Sequence, residues 1–234
     1  MTLTSRIDSI DWDRVEDDLL ARGYAVLREF LTTAEAVALR DGFVDDERFR
    51  SHVVMERHNF GRGEYKYYAY PLPEAIEAMR TGFYAHLAPI ANRWNALLGE
   101  NSRFPDAQQT FLEVCRDADQ SRPTALLLRY RPGDYNCLHQ DTYGEIAFPF
   151  QATLFLSSPD EYEGGEFVMT EQRPRMQTRP IVLRPNQGDV VIIPNRLRPV
   201  KGTHGYYRTT FRHGVSEIRE GERYTLGLIF HDAR

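Results

Sequence analysis

The chain has 234 residues, 41% hydrophobic and 27% charged, with a net charge of −5; this suits one globular unit with a sizeable core. No stretch approaches the roughly 20 apolar residues of a membrane span, and the acidic start "MTLTSRIDSIDWDRVEDD" lacks the apolar segment of a secretory leader. Cys115 and Cys137 alone are too few for a disulfide framework or a cysteine metal cluster, so a reduced, cytoplasmic protein is expected.

In chain order, "WDRVEDDLLARG" places apolar residues at helical spacing before Gly23, which predicts a short helix ended by that glycine. "YAVLREFL" is a strand candidate. Thr32 stands three residues before Glu35, the start of a capping box and so of a helix. "HVVMERHNFGRGEYKYYAYPLP" alternates in parts around a Gly-Arg-Gly turn and predicts a hairpin. Its stretch 58–71 reads either as a cover over a substrate site or as an edge strand guarded by Arg62 and Lys66. Residues 74–99 read as helix, with Pro89 breaking or restarting it.

From residue 123 the character changes. "TALLLRY", "FPFQATLFLSS", "GGEFVMTE", "PIVLRP", "GDVVIIP", "YRTTFRHGVSEI" and "RYTLGLIFH" are short β-like runs divided by Pro, Gly, Asp and Asn. They predict an antiparallel sandwich or barrel, jelly rolls included. With no linker between the halves, residues 1–122 (helical support and flanking strands) and 123–234 (β core) form one expected domain of α+β class.

Charge is uneven: residues 1–120 hold 21 acidic and 14 basic side chains. Residues 171–212 hold nine basic ones against Glu171 and Asp189, which suits either an anionic partner or a solvated arginine-rich face.

The candidate chemistry starts at "YRPGDYNCLHQDTYGE". On a strand, residues two apart point the same way, so His139 and Asp141 would offer an imidazole and a carboxylate together. Two histidines and one carboxylate on one face leave open positions on a divalent metal, the arrangement of non-haem Fe(II) oxygenases. The third ligand is either His204 in "GTHGYY" or His213 in "RHGVSEI"; His213 closes a strand-like run and is the stronger candidate. Arg223 then opens "RYTLGLIF", where an inward cation would need an anion to offset its burial.

The order H-x-D, then a distal H-G-V, then an arginine ten residues later resembles the Fe(II)/2-oxoglutarate-dependent oxygenase superfamily. "EGGEF" and "GDVVIIP" stand where that superfamily carries strand starts. "RYRPGDYNCLHQD" is similar to the matching strand of prolyl-hydroxylase-type and AlkB-type members. The likeness covers residues 124–232, with a looser match at 19–43. It implies a double-stranded β-helix (jelly-roll) core with a supporting helical layer. It also implies His139, Asp141 and His213 as Fe(II) ligands, and Arg223 as partner of the distal carboxylate of 2-oxoglutarate, a task suited to a guanidinium fork. Tyr130 and Thr225 would also touch this cosubstrate, or else simply pack within their strands. The implied reaction consumes O2, decarboxylates 2-oxoglutarate to succinate and CO2, and hydroxylates a substrate C–H bond.

For the substrate, "NRLRPVKGTHGYYRTTFR" mixes five basic residues with Tyr206, Tyr207 and Phe211, a pattern that can track phosphates and stack bases. The segment also resembles bacterial oxygenases thought to modify nucleic acids. Against this stand a pI near 5.8 and, unlike AlkB-type members, no basic residue after Arg223 in "RYTLGLIF". A protein side chain, a small metabolite and a non-catalytic metal-binding jelly roll therefore remain as alternatives. Cys137 shares parity with His139 and would either face the site or lie buried as a small thiol.

Overall fold

The computed structural model describes every residue from Met1 to Arg234. The chain runs α1 (Leu3–Asp8), α2 (Trp12–Arg22), β1 (Ala25–Leu27), α3 (Thr33–Asp41), β2 (Phe49–Val54), β3 (Gly61–Arg62), β4 (Glu64–Tyr68), α4 (Glu74–Leu97) and α5 (Gln108–Asp117). Then come β5 (Leu126–Tyr130), β6 (Tyr135–His139), β7 (Phe150–Phe155), β8 (Tyr162–Gly164), β9 (Phe167–Gln172), β10 (Arg179–Leu183) and β11 (Val190–Pro194). β12 (Leu197–Gly202), β13 (Gly205–Val215), β14 (Ile218–Gly221) and β15 (Arg223–Ile229) complete it. No helix is long and apolar enough to cross a membrane.

Local chemistry sets the helix ends. The Thr32 hydroxyl accepts from the Glu35 N–H while the Glu35 carboxylate accepts from the Thr32 N–H, the expected capping box. Gly23 stops α2 in the left-handed region at φ 83°, and a Cβ there would lie 2.2 Å from the Phe211 ring. Pro89 does not break α4, which runs through it. A mid-helix proline costs about 3 kcal/mol, but Leu87, Ala88, Ile90, Ala91 and Trp94 around it are all buried. At about 1.5–3 kcal/mol per large apolar side chain, that burial outweighs the defect. Helix α5 lies outside the elements that the sequence predicts.

The strands form two main antiparallel sheets. The larger has the order β1-β11-β7-β15-β5-β4-β2; the smaller has β10-β9-β13-β6-β3, with β12 added beside β13. The larger sheet thus takes strands from both sides of residue 122. Its two faces follow the period of two. Phe150, Ala152 and Leu154 of β7, with Leu226 and Leu228 of β15, join Phe83, Tyr84, Leu87 and Trp94 of α4 in one core, and Trp94 meets Phe150 edge-on at 4.6 Å. The alternate residues, Gln151 and Thr153 of β7 and Arg223, Thr225, Gly227 and Ile229 of β15, face a cavity instead.

The 49–68 hairpin exists, as β2 pairing with β4, but its middle crosses over. β3 leaves the larger sheet's edge and pairs with β6 of the smaller one (Gly61↔Asn136, Arg62↔Tyr135). Lys66 guards no edge, because it is buried and its ammonium donates to the Phe43 carbonyl and to Asp46. Arg62 does lie on an edge strand. The basic and aromatic stretch 195–212 is mostly the β12–β13 hairpin, with His204 exposed in its turn.

Candidate active site

β6 and β13 lie side by side with His139 directly opposite His213, and their rings are 4.3 Å apart. Gly214 permits this approach, since a Cβ there would stand 2.5 Å from the Asn136 carbonyl oxygen. β6 ends at His139, and Asp141, just beyond the strand, lies against both imidazoles. Its Oδ2 lies 3.2 Å from His213 Nε2 and its Oδ1 3.5 Å from His139 Nε2. One ligand atom from each of the three lies within 4.8 Å of the others. His204 takes no part.

These groups are held in ligating form. His139 Nδ1–H donates to the Cys137 carbonyl (2.8 Å), which leaves the Nε2 lone pair facing the carboxylate. Burial, and then the neighbouring His213, lowers the His139 pKa and favours the neutral ring. Burial alone would raise the Asp141 carboxyl, but the hydrogen bond and charge of His213, with His139 and Tyr143, hold it well below the carboxylate range. Tyr143 Oη donates to Asp141 Oδ1 (2.7 Å) and Gln151 Nε2 donates to Oδ2 (2.8 Å), so both carboxylate oxygens are oriented. Neither residue is among the candidates that the sequence offers. A lone glutamine inside the apolar run "FPFQATLFLSS" was the available signal, since a buried amide needs partners.

Arg223 begins β15 opposite Tyr130 of β5 and is 1% exposed. None of its Nε, Nη1 or Nη2 has a hydrogen-bond partner. Its guanidinium packs only against rings, 5.2 Å from Phe155 and 5.6 Å from Tyr130. Gly165 of "EGGEF" makes room, because a Cβ there would come 3.0 Å from Arg223 Cδ. Tyr130 and Thr225 are buried on the same cavity; the Tyr130 hydroxyl accepts from Asn136 Nδ2 (3.2 Å), and burial raises its pKa. An unpaired buried guanidinium costs several kcal/mol, so this end of the cavity suits an anion and the His-Asp-His end suits a divalent cation.

The cavity holds about 320 Å³ between the two sheets. Asn59 and Phe60, from the crossing segment 55–63, line its mouth, and the Cys137 N–H donates to the Phe60 carbonyl (2.9 Å). Cys137 is exposed and lines the cavity, so it is not a buried thiol. Much of the basic segment is consumed internally. Arg198 is buried against Glu171 and the Leu19 carbonyl, Arg208 pairs with Glu100, and Phe211 is core. Arg175, Arg179, Arg196, Lys201 and Arg212 stay exposed and form no ion pair.

The fold and this site define a member of the Fe(II)/2-oxoglutarate-dependent oxygenase superfamily. Within it, residues 63–233 match the family Oxygenase-NA, described as an oxygenase catalysing oxidative methylation of damaged DNA, and the chain belongs to that family. An uncharacterized protein of Mycobacterium tuberculosis is 46% identical over 164 residues, 70% of each chain. In fold, the chain is similar to a Pseudomonas putida prolyl-4-hydroxylase (TM-score 0.53, 17% identity, 95% of this chain and 99% of that one). It is also similar to a 2OG-Fe(II) oxygenase-family oxidoreductase of Burkholderia pseudomallei (TM-score 0.53, 16% identity, 96% and 94%).

Proposed function

We propose that this protein is an Fe(II)- and 2-oxoglutarate-dependent dioxygenase that hydroxylates, or oxidatively demethylates, a C–H bond on a base of nucleic acid. 2-Oxoglutarate is converted to succinate and CO2. The observation that carries the reading is the Arg223 guanidinium, buried and unpartnered on the same cavity as His139, Asp141 and His213. A protein that only held a metal would have no use for it. The family's description supports the nucleic-acid substrate, as do the unpaired surface arginines. In this reading the two sheets are the jelly-roll core, the helices support it, and residues 1–234 act as one domain.

Ferrous iron, with 2-oxoglutarate and O2, would supply the oxidising chemistry. The chain's share is placement. His139 and His213 would hold the metal through Nε2, and Asp141 through a carboxylate oxygen, leaving the positions needed by cosubstrate and O2. The Cys137 carbonyl fixes the His139 tautomer, and Tyr143 with Gln151 fixes the carboxylate. Arg223, with Tyr130 and Thr225 beside it, would take the distal carboxylate of 2-oxoglutarate. The apolar walls exclude water from the reacting centre.

The test is anaerobic addition of Fe(II) and then 2-oxoglutarate, followed by visible absorption. A weak charge-transfer band is expected in the wild type and not in Asp141→Ala. Iron binding without any band would refute the enzyme reading.

A further inference from the structure

The cavity's charge inventory is short. Among its lining side chains, only His139, Asp141, His213 and Arg223 belong to charged residue types. The rest of the wall is neutral, chiefly Tyr65, Tyr143, Leu126, Leu138, Phe60 and Ile229. Phenol hydroxyls such as these are uncharged near neutral pH, because their ordinary pKa is about 10.

All four charged residues are used once the site is loaded as proposed above. Formally, the metal's double charge and the Arg223 guanidinium balance the Asp141 carboxylate and the two carboxylates of 2-oxoglutarate. Neutral imidazoles, the form that binds metal, add nothing. No side chain is left to pair with a charge on the substrate, and an unpaired charge in a desolvated cavity is heavily penalised.

The groups behind the wall do not change this. Arg129 is taken by Glu64, and Arg80 by Asp232 at 2.7 Å. An unpaired positive charge does stand there, on Arg50. The Arg50 guanidinium lies 4.5 Å from the centre of the Tyr67 ring, donates only to the Pro123 carbonyl and forms no ion pair. Tyr67 in turn packs with Leu126 and Ile229 and meets Tyr65 edge-on at 5.3 Å. A cation entering beside these tyrosines would meet Arg50 across one ring.

We infer that the substrate group admitted to the metal is uncharged, and that a fixed positive charge is what the cavity rejects most. The inference rests on the oxygenase reading and narrows it. Among methylated adenines in single-stranded DNA, it selects neutral N6-methyladenine over the cationic isomer 1-methyladenine. Phosphates and charged side chains remain outside the mouth.

The experiment uses the full chain under anaerobic conditions, loaded with Mn(II) and 2-oxoglutarate, with Zn(II) as the diamagnetic reference. Benzyl alcohol, benzylammonium and benzoate serve as probes of similar ring size and different charge. Paramagnetic broadening of their proton lines reports approach to the metal without any turnover. Benzyl alcohol is expected to be broadened saturably, and both charged probes at least tenfold more weakly, benzylammonium least of all. Asn59→Asp places a carboxylate at the mouth, in a left-handed backbone position (φ 59°) that aspartate also tolerates. It should raise benzylammonium binding severalfold relative to benzyl alcohol. Equal broadening by all three probes would overturn the inference, as would exclusion of benzyl alcohol from protein whose Fe(II) form still shows the 2-oxoglutarate band. Absence of that band would overturn both this inference and the oxygenase reading.

Discussion

Replacing Arg223 by methionine should move two properties in opposite directions. The guanidinium is 1% exposed with three unpartnered nitrogens, so in the ligand-free protein it is a buried cation with ring faces alone for company. Exchanging such a charge for an apolar side chain of similar length stabilises by about 1–4 kcal/mol. Attraction to the Phe155 and Tyr130 ring faces offsets part of that cost, which puts the expected gain at about 1 kcal/mol, or roughly 2–4 °C in Tm for a chain of this size. Affinity for 2-oxoglutarate should fall instead. Losing one partner of a desolvated charge pair costs about 2–5 kcal/mol, and about 3 kcal/mol corresponds to at least roughly 100-fold in Kd. Differential scanning calorimetry on the apo protein and titration of 2-oxoglutarate into the anaerobic Fe(II) form measure the two effects, with metal affinity as the control. Unchanged 2-oxoglutarate affinity would refute the assignment of Arg223. A loss of apo stability beyond about 1 kcal/mol would refute the argument that the side chain has no structural partner.

What the sequence makes legible follows from local rules. The strand period of two puts Arg223 and Thr225 on one face, and the structure keeps that grouping; His139 and Asp141 also meet, but Asp141 lies beyond the end of β6, so strand alternation is not what joins them. The capping box at Thr32 and the glycine stop at Gly23 are decided within four residues, and both form. What fails depends on distant chain. Pro89 reads as a breaker until the sheet that buries its neighbours is present. Lys66 reads as an exposed guard until the Phe43 carbonyl and Asp46 arrive from the preceding segment. Arg198 and Phe211 read as binding residues until Glu171 and Gly23 close around them. The third ligand is the instructive intermediate case. The local signal, a strand-like run closed by His213, favours it over His204 without deciding the matter, and the β13–β6 register, which Gly214 makes sterically accessible, sets His213 opposite His139.

Removing either donor to the Asp141 carboxylate, by Tyr143→Phe or Gln151→Leu, should weaken metal binding about 10–100-fold with little effect on the fold; competition with a metal-sensitive chelator measures it, and wild-type affinity in both would show that these hydrogen bonds do not orient the ligand. Gly214→Ala forces a Cβ against the Asn136 carbonyl and should cost about 1–3 kcal/mol in urea unfolding, together with metal affinity, because His213 moves off His139. A neutral outcome there would mean that the strands can separate without disturbing the site. His231 supplies the pH dependence. It is fully buried, and burial, then the Arg80 charge, lowers its pKa from 6.5 to about 4. A histidine depressed on folding binds its proton more readily in the unfolded chain, so native stability is full above pH 6.5 and falls as pH drops from about 6.5 toward 4. The limit is about 3 kcal/mol, from 1.36 kcal/mol per pKa unit. His231→Asn keeps an acceptor for the Phe148 N–H, which now donates to His231 Nδ1 at 3.2 Å, and removes the titration. Urea midpoints of the two proteins should therefore converge between pH 7 and pH 4. If the wild type loses no more stability over that range than the variant, His231 is not the group that acid must protonate.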